Sequence, residues 1–239
     1  MEKLTRRQFL QSAAVHATGL AATGLLVGCA TSESAGPPPH VQTAPEGETA
    51  LPEPRLESEM SLEEAIARRR SVREFTDEPL SFDEISQLLW AAQGITDPRG
   101  LRSAPSAGAL YPLELYVATA EGAYHYLPRG HALQVVWEED RRPDLWEAGL
   151  KQSALQEAPA ILVVTAVYQR AETKYGERAE RYVKLEAGHA AQNILLQAVA
   201  LELGAVPIGA FYDDQVQDAL SLPADHRPLY LIPVGYPRT

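Results

Sequence analysis

One cysteine, Cys29, stands in 239 residues, so the chain can close no disulfide within itself and can build no multi-cysteine metal or iron–sulfur centre. Cations are also short: 21 Lys and Arg against 32 Asp and Glu give a net charge of −11. A body of that sign is poorly suited to nucleic acid, where binding draws on cationic contacts to phosphate. No Gly-x-Gly-x-x-Gly follows a strand-like run, so the usual fingerprint of a dinucleotide pocket is missing. Histidines and carboxylates do not fall into a three-ligand spacing, and no metal is expected. The apolar segment 13–27 is too short, and too rich in Ala, Gly and Thr, for a membrane span. There is no internal repeat.

What is present begins with Thr5-Arg6-Arg7-Gln8-Phe9-Leu10, the pattern of a twin-arginine export signal. Leu26-Val27-Gly28-Cys29 is similar to a bacterial lipobox, in which the chain is cut before Cys29 and the thiol is lipidated. A plain signal peptide with an incidental cysteine is the alternative. Residues 1–28 are read as this signal and set aside from the fold; they carry Lys3, Arg6 and Arg7 against Glu2, so their removal would leave a charge of −13. Residues 29–59 hold many Pro, Ser, Thr, Gly and Glu with little apolar periodicity and read as a disordered tether. The whole chain is 45% apolar, enough for one substantial core, and residues 60–239 read as one folded domain. The expected product is exported and held at a membrane through lipidated Cys29, facing the periplasm or the cell exterior.

Ser61-Leu62-Glu63-Glu64 and Ser81-Phe82-Asp83-Glu84 are capping-box patterns, each ahead of apolar residues at helical spacing. The first helix carries Leu62, Ala65 and Ile66 and runs into an arginine cluster; the second carries Ile85, Leu88, Leu89 and Ala92 and stops at Gly94. Residues 113–119 alternate as a strand, 123–127 and 131–137 form a strand pair around Pro128-Arg129-Gly130, and 160–167 is the continuous apolar run of a buried strand. Short helices are expected over 143–150 and 214–220, a long one over 177–203 bounded by Gly204, and a closing strand over 229–234. Helices and strands mix without βαβ alternation, which predicts an α+β fold with a central, mainly antiparallel sheet flanked by helices.

The arginine cluster reads Arg68-Arg69-Arg70-Ser71-Val72-Arg73-Glu74-Phe75. Four planar, permanently charged forks and a hydroxyl suit a small anion. As plain helix C-terminal cations they would instead complement the macrodipole. Three further stretches follow: Ser103-Ala104-Pro105-Ser106-Ala107-Gly108-Ala109-Leu110-Tyr111-Pro112, Leu185-Glu186-Ala187-Gly188-His189-Ala190-Ala191-Gln192-Asn193, and Val206-Pro207-Ile208-Gly209-Ala210-Phe211. In this order and spacing the motifs resemble those of the nitroreductase-like FMN flavoproteins. The 105–112 loop and the 185–193 run resemble the SagB-type branch in particular, which includes azoline oxidases. The resemblance covers roughly residue 61 to the C-terminus.

That resemblance implies a nitroreductase-like fold, FMN as cofactor and a homodimer with sites shared across the interface. Arg69, Arg70, Ser71 and Arg73 would hold the FMN phosphate and ribityl chain, with Arg68 left as a solvent-facing cation. Pro105, Ser106, Ala107 and Gly108 would contact the flavin bound mainly by the other subunit, small side chains letting backbone and hydroxyl approach a planar ring; a surface turn is the alternative. Pro207, Ile208 and Gly209 would bring a backbone amide, near Gly209, to the flavin N5 region, and Arg238 would be a C-terminal phosphate contact. Glu186, His189 and Asn193 fall at i, i+3 and i+7 on one helix face, a polar stripe able to reach a flavin or a dimer partner; Asn193 is taken as a cofactor contact and His189 as structural. Lys174-Tyr175 resembles the Lys-Tyr pair implicated in proton removal in azoline-oxidising relatives, while the charge density of 172–181 equally suits a solvated lid.

The function expected on this reading is an FMN-dependent oxidoreductase of SagB type that passes hydride between an organic or peptide-derived substrate and FMN by a ping-pong route. An NAD(P)H-dependent reductase of nitro compounds or quinones is the first alternative, and a flavin-binding protein without turnover the second.

Overall fold

The computed structural model describes residues 47–238; the motifs around Arg6, Arg7 and Cys29, and the first part of the expected tether, lie outside the described residues. Its strands are β1 (Glu48–Ala50), β2 (Leu113–Thr119), β3 (Gly122–Leu127), β4 (Ala132–Trp137), β5 (Ala160–Ala166), β6 (Gly204–Ala205) and β7 (Arg227–Gly235). They form one sheet in the order β1-β4-β3-β2-β5-β7-β6, and each neighbouring pair is antiparallel. The helices are α1 (Leu62–Arg68), α2 (Phe82–Gln93), α3 (Arg142–Ala148), α4 (Ser153–Glu157), α5 (Gln169–Tyr175), α6 (Ala179–Ala200) and α7 (Asp213–Leu220). This is the α+β architecture that the mixed pattern predicts, with the sheet wholly antiparallel among the described strands.

The position of β5 follows from its composition. Each residue from Ala160 to Ala166 is buried, so the strand needs cover on both faces, and it lies between β2 and β7. Side chains alternate across the sheet and so split the core in two. Leu115, Val117, Leu162, Val164 and Ile232 pack with α2 and α6 on one face, while Tyr116, Ile161, Val163 and Leu231 pack with α3, α4 and α7 on the other. Ser81 completes a reciprocal capping box with Glu84 at the start of α2, and Ser61 caps α1 through the Glu64 N–H.

Three elements differ from the sequence reading. The tether expected over 29–59 is ordered in its last part: β1 pairs with β4, Leu51 is buried, and the Leu51 N–H donates to the His131 carbonyl at 2.8 Å. Polar side chains hold the segment beyond it. Ser86 Oγ donates to the Pro52 carbonyl at 2.7 Å, and the Gln87 amide exchanges two bonds with the Arg55 backbone, at 2.8 and 3.0 Å. Such anchoring by side chains far along the chain leaves no periodicity in the segment itself. Two short helices, α4 and α5, also stand where no helix was expected; each is a turn or two long and has no side-chain N-cap, so neither carries a start signal.

Candidate active site

The sequence-predicted residues gather in two places. The first is the β6–β7 edge of the sheet. Gly204 leaves room for Val72: a Cβ there would stand 2.6 Å from Val72 Cβ. That close approach lets the arginine segment run alongside β6, Ser71 bridging to Ala205 in parallel and the Val72 N–H donating to the Ala205 carbonyl at 3.2 Å. Phe75 then bridges antiparallel to Pro237, so Arg69, Arg70, Ser71 and Arg73 are strung along the same edge that leads into Pro207, Ile208 and Gly209. Ile208 is buried and bridges to Leu231, while Gly209 is exposed and a Cβ on it would meet Tyr230 alone, at 3.9 Å.

The charges on this edge fit an anionic ligand. Arg70 donates to the carbonyls of Ala67 and Arg69 at 2.9 and 2.7 Å, and Arg73 to that of Ser71 at 3.3 Å. Among the described residues neither they nor Arg69 forms an ion pair with a carboxylate, although the protein holds 32 acidic residues. Three unneutralised guanidinium groups and the Ser71 hydroxyl are the donor set that a phosphomonoester calls for. Arg68 is paired with Glu64 at 2.5 Å on α1. Arg238, expected as a phosphate contact, donates through Nη2 to the Phe75 carbonyl at 2.7 Å and to Glu157 Oε2 at 3.0 Å.

The second place is the loop ahead of β2. Pro105 is exposed, Ser106 and Ala107 are half-buried, and the backbone turns left-handed at Gly108 (φ 64°), Ala109 (φ 54°) and Tyr111 (φ 47°). Left-handed backbone at two non-glycine residues is held by contacts. The Tyr111 N–H donates to Ser106 Oγ at 2.9 Å, the Ala109 N–H to the Ser106 carbonyl at 3.1 Å, and the Arg102 N–H to Tyr111 Oη at 3.1 Å, with the Arg102 guanidinium 4.6 Å above the Tyr111 ring. The missing side chain of Gly108 is where the predicted catalytic pair sits. A Cβ there would lie 2.7 Å from Tyr175 Oη and 2.8 Å from Lys174 Nζ.

Lys174 and Tyr175 reach the loop because α5 is tied to it. Arg170, one turn before Lys174, donates to the Tyr111 carbonyl at 3.1 Å and pairs with Glu114 at 2.5 Å. Glu114 is also bonded by His125 Nε2 at 2.7 Å. Burial alone would raise the Glu114 carboxyl, but His125 and Arg170 outweigh it and hold the group below its ordinary range. The Tyr175 ring meets Tyr182 of α6 edge-on at 4.9 Å.

Two residues of the α6 stripe behave differently from the reading of it. Asn193 donates its amide to the carbonyls of Ala91 and Ser103, at 3.0 and 3.5 Å, and so clamps α2 and the loop onto α6 instead of standing free for a cofactor. Glu186, read from the sequence as part of the polar stripe and given no role of its own, is 3% exposed and shares a hydrogen bond with Ser106. Burial pushes its carboxyl up to about 7, against the Ser106 bond and the Arg102 charge. The signal was there in the spacing: Glu186 shares its core-facing side of α6 with Val183, Ala187 and Ala190, where a carboxyl is out of place.

The family model for the nitroreductase family matches residues 66–236. The chain belongs to the nitroreductase family. This nitroreductase-family chain is 44% identical over 183 residues to a protein of Methanocaldococcus jannaschii named as a candidate nitroreductase, covering 74% of this chain and 91% of that one. The crystal structure of a candidate nitroreductase from Ralstonia eutropha superposes with a TM-score of 0.71 at 30% identity, over 81% of this chain and 91% of the other. The microcin B17-processing protein McbC of Escherichia coli is 29% identical over 156 residues, 60% of this chain, which spans little more than half of that longer protein, 57%. The protein is therefore a flavin oxidoreductase of the nitroreductase family.

Proposed function

We propose that the protein is a SagB-type dehydrogenase or oxidase, in which Lys174 and Tyr175 handle the proton of an organic or peptide-derived substrate. The observation that carries this reading is the convergence of Lys174 Nζ and Tyr175 Oη on Gly108, in the loop expected to face the flavin. Bound FMN would accept a hydride from the substrate and release it to an acceptor in a separate half-reaction. Removing hydrogen from a substrate as hydride leaves a proton to be taken up, and an amine and a phenol held side by side at the loop are suited to accept and relay it. Arg69, Arg70, Ser71 and Arg73 would bind the phosphate, and Pro207, Ile208 and the side-chain-free Gly209 would line the approach to the ring. The likeness to McbC, a protein named for processing microcin B17, supports a peptide-derived substrate over a nitro compound.

Homodimers are common among nitroreductase-fold proteins, and the distance between the two site regions supports a shared site here. Glu186 contacts the loop while α6 ends at Ala200, four residues before β6 begins at Gly204, and fourteen helical residues separate Glu186 from Ala200, about 20 Å. One chain would then supply the arginine edge and its partner the loop with Lys174 and Tyr175. We further propose that the mature domain is exported by the twin-arginine route already loaded with FMN and is tethered through Cys29. In that location NAD(P)H is scarce, which favours a substrate-driven enzyme. The test is anaerobic flavin reduction, followed by absorbance, with NADH, NADPH and azoline-containing peptides in separate mixtures. Bleaching by the peptides that is lost in K174A and Y175F supports the reading; bleaching by NAD(P)H alone, unaffected by those substitutions, replaces it with a nitro or quinone reductase.

A further inference from the structure

Glu186 is a buried carboxyl with too few partners. One oxygen shares the bond with Ser106, while Oε1 is buried with none. Arg102, the cation that acts on it, spends Nη1 on Gln93 Oε1 at 2.8 Å and lies over the Tyr111 ring. A bare carboxylate oxygen away from water is costly, and a proton on the group removes most of that cost. Where that proton sits decides what Ser106 can do. A serine hydroxyl has one hydrogen to donate and two lone pairs to accept with. One lone pair already takes the Tyr111 N–H at 2.9 Å. If Glu186 is ionised, the Ser106 hydrogen must turn inward to it. If Glu186 is the acid, its own O–H fills the second lone pair of Ser106, and the Ser106 hydrogen is free on the outer side of a half-buried loop.

We propose that Glu186 is a positioning residue which, by holding a proton, turns the Ser106 hydroxyl outward as a hydrogen-bond donor to the flavin on the 105–108 loop, and by losing it turns the hydroxyl back. The proposal rests on reading that loop as a flavin contact. Burial raises the carboxyl to about 7, so the reversal falls near neutrality, with the proton passing to solvent. The groups facing Glu186 are Ser106 on the loop and Arg102 on the segment before it; Arg102 in turn feels Glu114 on β2, Arg170 on α5 and Tyr111, and Lys174 and Tyr175 overlie the neighbouring Gly108.

Two measurements on the full-length protein test this. In the first, FMN dissociation is followed between about pH 6 and about pH 8. Relative to E186Q, whose amide donates to Ser106 at every pH, the wild type is expected to weaken by about threefold to tenfold as pH rises, the worth of one neutral hydrogen bond. S106A is expected to bind more weakly than E186Q by a constant factor; these ratios cancel the second ionisation of the FMN phosphate, which all three proteins share. In the second, infrared difference spectra of the flavin-free protein follow the carboxylic-acid C=O band: it is expected to disappear as pH rises, to be absent from E186Q and to shift in S106A. A ratio of wild-type to E186Q affinity that does not change with pH, or an acid band indifferent to S106A, overturns the inference. A protein that shows the band and its S106A shift but takes up no FMN overturns the flavin reading of the loop, and leaves the Glu186–Ser106 pair standing.

Discussion

Gly108 has two reasons to be glycine, and they can be separated by substitution. Its φ of 64° costs an L-residue about 1 to 2 kcal/mol, and a methyl group there meets the ends of Lys174 and Tyr175. Those ends are flexible and will yield, so G108A is expected to lose no more than about 2 kcal/mol in urea denaturation but to displace both groups from the loop. Substrate-driven flavin reduction should fall by at least about tenfold, since small misplacements of reacting groups are expensive. Glu186 makes a different prediction. Its folded pKa is raised above the ordinary carboxylate value, so the native state binds the proton more tightly than the unfolded chain does. The linked stability is full below about 4.5 and is lost as pH rises to about 7. E186Q removes that loss: it should match the wild type near pH 4 and exceed it by about 3 kcal/mol at pH 8, measured by urea denaturation. The arginine cluster, the 105–108 loop and the Lys-Tyr pair could be picked out as candidates because each is a run of side chains whose chemistry is local. The committed states of Arg238 and Asn193 could not, because Glu157, Phe75, Ala91 and Ser103 are distant in sequence.

Among the elements, the least conspicuous strand does the positioning. The two residues of β6 connect the arginine segment to β7, through Ser71 on one side and Val234 on the other. G204A places its Cβ against Val72 Cβ, not against a movable chain end, so the segment itself must shift. About 1 to 3 kcal/mol of stability should be lost, and bound FMN with it, measured as the flavin-to-protein absorbance ratio after purification. R73A and S71A act on the same edge without moving it, and each should weaken FMN binding by about 1.5 to 3 kcal/mol while leaving the melting temperature nearly unchanged. Equal flavin content in all three variants would remove this edge from the site. Strands β2, β5 and β7 and helices α2, α6 and α7 could be read ahead of the structure because each buries a regular face. The short elements β1, α4 and α5 bury too little of their own for a pattern; β1 is held by pairing with β4, and the segment after it by Ser86, Gln87 and His131 from elsewhere.

At the scale of the whole molecule, the arginine edge and the Lys174–Tyr175 loop lie near opposite ends of α6, and on the proposed reading one chain supplies the edge and its partner the loop of each flavin site. Loss of FMN should therefore follow loss of dimer, whatever causes the dissociation. Mixed dimers sharpen the point: R73A and K174A chains are each impaired alone, but an R73A/K174A dimer holds both intact halves at one of its two sites, so equal, random mixing should recover about a quarter of a normal set of sites. The most direct measurement is sedimentation of the mature domain recorded at a flavin absorbance and a protein absorbance together. The account predicts that flavin and protein sediment as one species at twice the chain mass, with one FMN per chain, and that dilution below the dimer's dissociation constant releases both at once. A monomer that keeps its full complement of FMN would contradict it.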